Sequence, residues 1–272
     1  MPVVRLALRF DHPGARDFRF LQEAARLGEV QALLWSDQAI LDLAGVEPGL
    51  PEAERLYFLQ AIRYIHSAAI VGVPASPGPL PEVVGPDPDL WVVDERSAHA
   101  DQAAYCRSRG IRYHVIGEAE LAGLPEPAPA PPPSPRRKVL VTGSFDWLHS
   151  GHVRFFEEVS ALGDLHVVVG HDRNIRLLKG EGHPLFPEQE RRYLAGSIRF
   201  VQRALVSSGD GWLDAEPEIA QLQPDIYAVN EDGDKAEKRD FCHEHGIEYV
   251  VLRRIPKDGL APRSSTNLKG KG

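Results

Sequence analysis

The chain has 272 residues and a net charge of −8; 43% of its residues are hydrophobic and 26% charged. That is the make-up of a globular, water-soluble protein with room for one large domain or two ordinary ones. The acidic balance argues against non-specific nucleic-acid binding, and no apolar run is long enough to span a bilayer, so neither a nucleic acid nor a membrane is an expected partner. Two cysteines, Cys106 and Cys242, make no disulfide framework. Met1-Pro2-Val3-Val4-Arg5 opens directly into a strand-like pattern without signal-peptide features. Both point to a cytoplasmic location.

In chain order, residues 1–122 form a first α/β domain, residues 123–137 a Pro-Ala-rich, extended linker, and residues 138–272 a second domain. The two domains read as copies of one unit. Phe10-Asp11, Phe18-Arg19-Phe20-Leu21-Gln22-Glu23 and Leu27-Gly28-Glu29 align without a gap on Phe145-Asp146, Val153-Arg154-Phe155-Phe156-Glu157-Glu158 and Leu162-Gly163-Asp164, 135 residues later. One extra residue moves the shift to 136, where Pro51 to Tyr57 matches Pro187 to Tyr193, and Ile62-Arg63-Tyr64 matches Ile198-Arg199-Phe200. Cys106 and Cys242 fall at equivalent places ahead of a Gly-Ile-x-Tyr strand entry, which predicts a packing role for both.

Strands are expected in the second copy at 138–142, 165–169, 202–206, 226–229 and 248–252. Helices are expected near 151–161, 187–199, 214–222 and 234–245. This alternation predicts a parallel sheet with helices on both faces and a ligand site beyond the carboxyl ends of the strands.

The segment after the strand 138–142 carries the chemistry. Gly143-Ser144-Phe145-Asp146 leads through His149-Ser150-Gly151-His152 into a helix-like run. A glycine turn lets backbone N–H groups approach phosphate oxygens, the helix N-terminus adds positive charge, and two histidines three apart can donate to the same site. Metal ligation by the pair would want a third ligand, and none stands at a diagnostic spacing, so no protein-held metal site is expected.

These residues resemble the GxFDxxHxGH signature of the cytidylyltransferase-like nucleotidyltransferase superfamily. The resemblance implies two tandem Rossmann-like (HUP-type) domains, one active and one degenerate. It also implies transfer of CMP or AMP from CTP or ATP to a phosphorylated small-molecule acceptor, with release of pyrophosphate and with Mg²⁺ entering on the triphosphate. On that resemblance the catalytic residues are His149, His152 and Lys179. The nucleotide-binding residues are Gly143, Ser144, Phe145, Asp146, Arg191, Asn230, Asp232, Arg254, Arg263, Ser264, Ser265 and Thr266. Asn230-Glu231-Asp232 departs from the Gly-Asp-Asp-like element of relatives. Arg191 is matched by Arg55 of the first copy, so a structural role competes with a binding one.

Elsewhere the first copy has lost the set: Gly143, His149, His152 and Lys179 become Leu8, Gly14, Asp17 and Ala44. Its expected use is as the partner in an internal pseudo-dimer, with a homodimer of the chain as the further oligomeric state. The tandem arrangement resembles the ethanolamine-phosphate cytidylyltransferases, and the second copy the glycerol-3-phosphate cytidylyltransferases. Asn174-Ile175-Arg176-Leu177-Leu178-Lys179-Gly180 is closer to heptose-phosphate adenylyltransferases. The Arg-Ser-Ser-Thr end favours CTP, and the acceptor class stays open among polyol, amino-alcohol and sugar phosphates. A nucleotide-binding regulator or scaffold without turnover is the alternative from another class.

Overall fold

The computed structural model describes residues 1–73, 80–127 and 134–263. The chain divides into two compact units, Met1–Leu124 and Pro125–Gly272. The first contains β1 (Val3–Leu8), α1 (Ala15–Leu27), β2 (Glu29–Trp35), α2 (Asp37–Ala44), α3 (Glu52–Gln60), β3 (Ile65–Val71), β4 (Leu90–Asp94), α4 (Ala100–Ser108) and β5 (Arg112–Ile116). The second contains β6 (Lys138–Gly143), α5 (Ser150–Ser160), β7 (Asp164–Val169), α6 (Asp172–Lys179), α7 (Glu188–Gly196), β8 (Val201–Val206), α8 (Glu216–Leu222), β9 (Ile226–Asn230), α9 (Ala236–Glu244) and β10 (Glu248–Leu252). Among the described residues no helix is long and apolar enough to cross a membrane.

Each unit is an α/β Rossmann-like arrangement around a five-stranded sheet, ordered β3-β2-β1-β4-β5 in the first and β8-β7-β6-β9-β10 in the second. Every strand pairing is parallel. The strands of the second unit lie within a residue of the expected spans. The segment 171–180, read from the sequence only as a loop bearing Lys179, contains the helix α6. His171 caps it, accepting from the Asn174 N–H, and Asp172 stands in its first turn, so its N-terminus is well provided for. The helix expected to run to residue 199 stops at Gly196, where the Ser197 hydroxyl donates to the Tyr193 carbonyl.

The chain order reverses at the centre of each sheet, and this places the site. β6 stays paired with β7 as far as Gly143↔Val169, but its register with β9 is confined to Val139↔Ile226 and Leu140↔Tyr227. Beyond Leu140 the two central strands diverge and open a crevice at their carboxyl ends, the usual ligand position in such sheets. β1 and β4 part in the same way after Arg5↔Trp91.

Right-handed crossovers put α5, α6 and α7 on one face of the second sheet and α8 and α9 on the other. The α8/α9 face buries Leu140, Val168, Ile219, Tyr227, Val229, Phe241 and Cys242 in one cluster. Cys242 and Cys106 are both fully buried, and burial pushes the Cys242 thiol up to about 11, so both pack and neither is primed as a nucleophile.

Glycines at the mouths of β2 and β7 allow a close approach. A Cβ on Gly163 would lie 2.1 Å from the Arg137 carbonyl oxygen, and one on Gly28 2.1 Å from that of Pro2. The Asp164 N–H donates to that same Arg137 carbonyl (2.8 Å), so the segment before β6 has no freedom to withdraw. Gly163→Ala is therefore expected to cost at least about 1–3 kcal/mol, read as a lowered midpoint in urea unfolding; an unchanged midpoint would remove this account of the glycine.

The start of the segment expected to be an extended linker packs on the second unit. Glu126 pairs with Arg192 (2.8 Å), and Pro127 packs so closely on Gly196 that a Cβ there would meet its ring at 2.7 Å. The remaining Pro-Ala residues, 128–133, lie outside the described residues.

Candidate active site at the open end of the second sheet

The turn after β6 is held from several sides. Phe145 adopts φ 43°, in the left-handed region that costs a side-chain-bearing residue about 1–3 kcal/mol. Its ring packs on His152 (centroids 5.3 Å) and Phe156 (5.1 Å), and a Cβ at Gly143 would strike that ring at 2.9 Å. The backbone strain and the glycine thus serve one arrangement. Phe10 of the first unit is also strained, at φ 51°, so the strain belongs to the turn and not to the chemistry.

His149 is the N-cap of α5 and is only 2% exposed. Its Nδ1 accepts from the Gly151 N–H (3.1 Å), which puts the proton of the neutral ring on Nε2. His152 stacks on it, with centroids 3.9 Å apart and planes inclined at 22°. Burial, with Arg254 and Arg263 nearby, pushes His149 down to about 4. Burial and the neighbouring His149, Arg254 and Lys179 push His152 well below its ordinary value, against a hydrogen bond to the Trp147 backbone. Both rings are therefore neutral near pH 7. The His149 Nε2 and His152 Nδ1 atoms are buried without a hydrogen-bond partner. A buried polar group left unpaired costs about 1–3 kcal/mol.

Two cavities meet at the end of β6. One, of about 290 Å³, is lined by Gly143, Ser144, Phe145, His152, Asn230, Asp232 and Arg254 among others. The other, of about 170 Å³, has an apolar wall of Ile175, Leu178 and Trp212. Thr142, Gly143, Ser144, Lys179 and Lys238 line both. The Lys179 Nζ, at the C-terminus of α6, donates to the Ser144 hydroxyl (2.7 Å) and so reaches across to the β6 turn. Asp232 pairs with Arg254 at 3.0 Å. The Arg263 backbone lies against the start of α5, its carbonyl oxygen 3.2 Å from where a Gly151 Cβ would be. Ser264, Ser265 and Thr266 lie outside the described residues.

Two of the expected binding residues are engaged in building the turn. Arg191 is fully buried and donates to the carbonyls of Phe186 (2.9 Å), Ser144 (2.6 Å) and Gly170 (2.7 Å) and to Asp172 (2.7 Å). Asp146 accepts from the N–H groups of Leu185 and Phe186. Arg55 and Asp11 make the matching set in the first unit: Arg55 to Leu50, Arg9, Trp35 and Asp37, and Asp11 to Gly49 and Leu50.

The equivalent end of the first sheet is also hollow, with a cavity of about 500 Å³, but its chemistry differs. Asp17 stands at the His152 position, and its carboxylate accepts from the Gly14 N–H (2.8 Å); burial raises its pKa. Asp94 is paired with Arg16 at 2.6 Å.

Sequence reasoning missed Thr142, Trp212 and Lys238. Trp212 is fixed by its neighbours: the Asn174 side chain both accepts from the Gly211 N–H and donates to the Gly211 carbonyl. Lys238 had a legible signal, since it stands three and four residues before Phe241 and Cys242, on the buried stripe of α9.

A doubly wound parallel sheet whose switch-point crevice is lined by neutral His152, two lysines and an arginine, with neutral His149 stacked behind His152, defines a nucleotide-handling α/β enzyme. Residues 140–268 match the family described as Cytidylyltransferase-like. The chain is 33% identical over 135 residues to an FAD synthase of Ferroglobus placidus, covering 48% of this chain and 85% of that one. It is 35% identical over 133 residues to an FAD synthase of Thermococcus kodakarensis, covering 48% and 87%. Against the Bifunctional protein HldE of Pelobacter propionicus it is 33% identical over 136 residues, covering 50% of this chain and 25% of that one. The chain belongs to the cytidylyltransferase-like family and is a nucleotidyltransferase.

Proposed function

We propose that the second unit transfers an adenylyl group from ATP to the phosphate of flavin mononucleotide or a closely similar phosphate monoester. An oxygen of the acceptor phosphate forms a bond to the α-phosphorus, the α–β bridge breaks, and pyrophosphate leaves with the bonding electron pair. A phosphate monoester is already an anion, so no strong general base is required, and the rate rests on alignment and on charge stabilisation. The observation that carries this reading is the buried, unpartnered His149 Nε2–H at the N-terminus of α5, a donor prepared for a phosphate oxygen.

Lys179 is suited to the triphosphate tail, and the Gly143-Ser144-Phe145 turn offers backbone N–H groups beside it. Arg254 and Arg263 lie close enough to act on the His149 ring electrostatically. Arg191 and Asp146 act on this reading by holding the turn. Mg²⁺ is expected to arrive on the triphosphate and to neutralise charge there. The carboxylate lining the larger cavity, Asp232, is paired with Arg254, which suits a cation ligated mainly by phosphate and water.

ATP is favoured as donor because the FAD synthase relatives form a product that contains an adenylyl group. The segment that favoured CTP, Ser264-Ser265-Thr266, lies outside the described residues. The apolar wall of Ile175, Leu178 and the half-exposed Trp212 suits a ring system on the acceptor. The first unit, with Asp17 in place of His152, is read as a non-catalytic copy.

The test is pyrophosphate release by the full chain with each of ATP, CTP, GTP and UTP, crossed with flavin mononucleotide, glycerol 3-phosphate and a sugar 1-phosphate. ATP with flavin mononucleotide is expected to give pyrophosphate and FAD. Turnover confined to CTP with the polyol phosphate would replace this reading by the cytidylyl one, and nucleotide binding without any turnover would replace it by the scaffold one.

A further inference from the structure

Lys238 is a buried ammonium that neither the repeat nor the histidine site accounts for. It sits in the first turn of α9, is 8% exposed, and reaches the end of β6 from the face opposite α5 and α6. Its Nζ lies 3.4 Å from the Thr142 hydroxyl and 5.5 Å above the Tyr227 ring. Thr142 and the Tyr227 hydroxyl are joined to each other at 2.6 Å. A hydroxyl and a ring face do not neutralise a buried charge, and Lys238 makes no ion pair among the described residues. Burial pulls the Lys238 ammonium's pKa down; Asp214 attracts it from a distance, but the Asp214 carboxylate accepts from the Ser207 hydroxyl at 2.6 Å. A side chain more than nine-tenths buried, cationic and aimed at the seam of two cavities is provided for an anion.

The side from which it reaches selects the anion. In an in-line displacement the entering and leaving oxygens stand on opposite sides of the phosphorus. His149, His152 and Lys179 come from the α5/α6 face and surround the nucleotide's phosphates on the transferase reading. Lys238 comes from the other face and, with Trp212 and Asp214, closes the smaller cavity opposite the Ile175, Leu178 and Lys179 side chains of α6. In the first unit the position 136 residues earlier is Gln102, so the unit that lacks both histidines also lacks this charge. Resting on the transferase reading, we propose that Lys238 binds the phosphate of the acceptor and holds it against the α-phosphate.

The full chain and its Lys238→Met and Lys238→Arg variants are to be compared. With flavin mononucleotide as acceptor, Lys238→Met is expected to raise the acceptor KM by about 10–100-fold, the range for loss of one charge-assisted hydrogen bond. The Kd for ATP alone should stay within about twofold, and Lys238→Arg should recover part of the acceptor KM.

A second measurement does not depend on the identity of the acceptor. Inorganic phosphate is titrated calorimetrically onto each protein already saturated with α,β-methylene-ATP, and Lys238→Met is expected to bind it at least about 10-fold more weakly than the unaltered chain. Equal phosphate binding would overturn the role of Lys238, as would parallel losses of ATP and phosphate affinity. A selective loss of phosphate binding without any flavin turnover would instead uphold Lys238 and remove flavin mononucleotide as acceptor.

Discussion

His149→Asn is expected to lower kcat by about 10²–10³-fold, the range for one preorganised donor to a developing charge, with little change in the KM for the nucleotide. Asparagine can still accept from the Gly151 N–H as an N-cap, so α5 keeps its start, but the donor at Nε2 is gone. His149→Ala removes both and should add about 1 kcal/mol of destabilisation to the same loss of rate. The comparison separates chemistry from capping. If His149→Asn retained kcat within threefold while His149→Ala lost both rate and stability, the ring would be a cap and nothing more.

The pH dependence follows from the same burial. With its pKa pushed down to about 4, His149 stays neutral from pH 6 to 8, and its protonation should not shape kcat in that range. Stability behaves otherwise. Between the unfolded value near 6.5 and the folded value near 4, the unfolded chain takes up a proton that the folded one refuses. Stability is therefore full above about pH 6.5 and falls as the pH drops towards 4, by at most about 3 kcal/mol for this group. In urea titrations at pH 7 and pH 5, His149→Asn should lose less stability between the two than the unaltered chain does.

Arg191→Met is expected to destabilise the second unit by about 3–5 kcal/mol, the penalty for removing one partner of a buried charged network. Four acceptors depend on that guanidinium: the carbonyls of Phe186, Ser144 and Gly170 and the Asp172 carboxylate. Lysine should rescue little, because a single ammonium cannot reproduce the planar fork that reaches both β-strand ends at once. Activity should fall because the Gly143–Phe145 turn loosens, so saturating ATP should restore stability only in part. A variant that unfolded normally but bound ATP poorly would return Arg191 to the binding role suggested by its sequence neighbourhood. Arg55→Met should produce a loss of similar size in the first unit, where the bonds are the same.

That pair shows how sequence and structure divided the information. Arg191 and Asp146 stand in a segment that resembles a nucleotide-binding one, and for Arg191 the match with Arg55 already set a structural role beside the binding one. Arg55 and Asp11 persist where His149, His152 and Lys179 have been replaced, and the shared hydrogen bonds explain why: they close the turn in both units. The α6 helix was not read because half of the positions from Asp172 to Lys179 are charged, and its start depends on an imidazole acting as a cap. Lys238 was passed over because a lysine in a helix is ordinarily solvated; its spacing to Phe241 and Cys242 was a sign of burial, and the packing of α9 against β6 and β9 shows it.

The sequence alone determined the alternation of strands and helices, the central turn with its two histidines, and the loss of those histidines from the first half. Each of these is local: periodicity, a glycine turn, residues three apart. Only the tertiary structure decided which charged groups face the crevice and which hold its walls. It also placed Lys238 and Trp212 beside residues far away in the chain. The divergence of β6 from β9 after Leu140 opens that space. Helices from both faces of the sheet then converge on it, a relation between faces that no one-dimensional pattern contains.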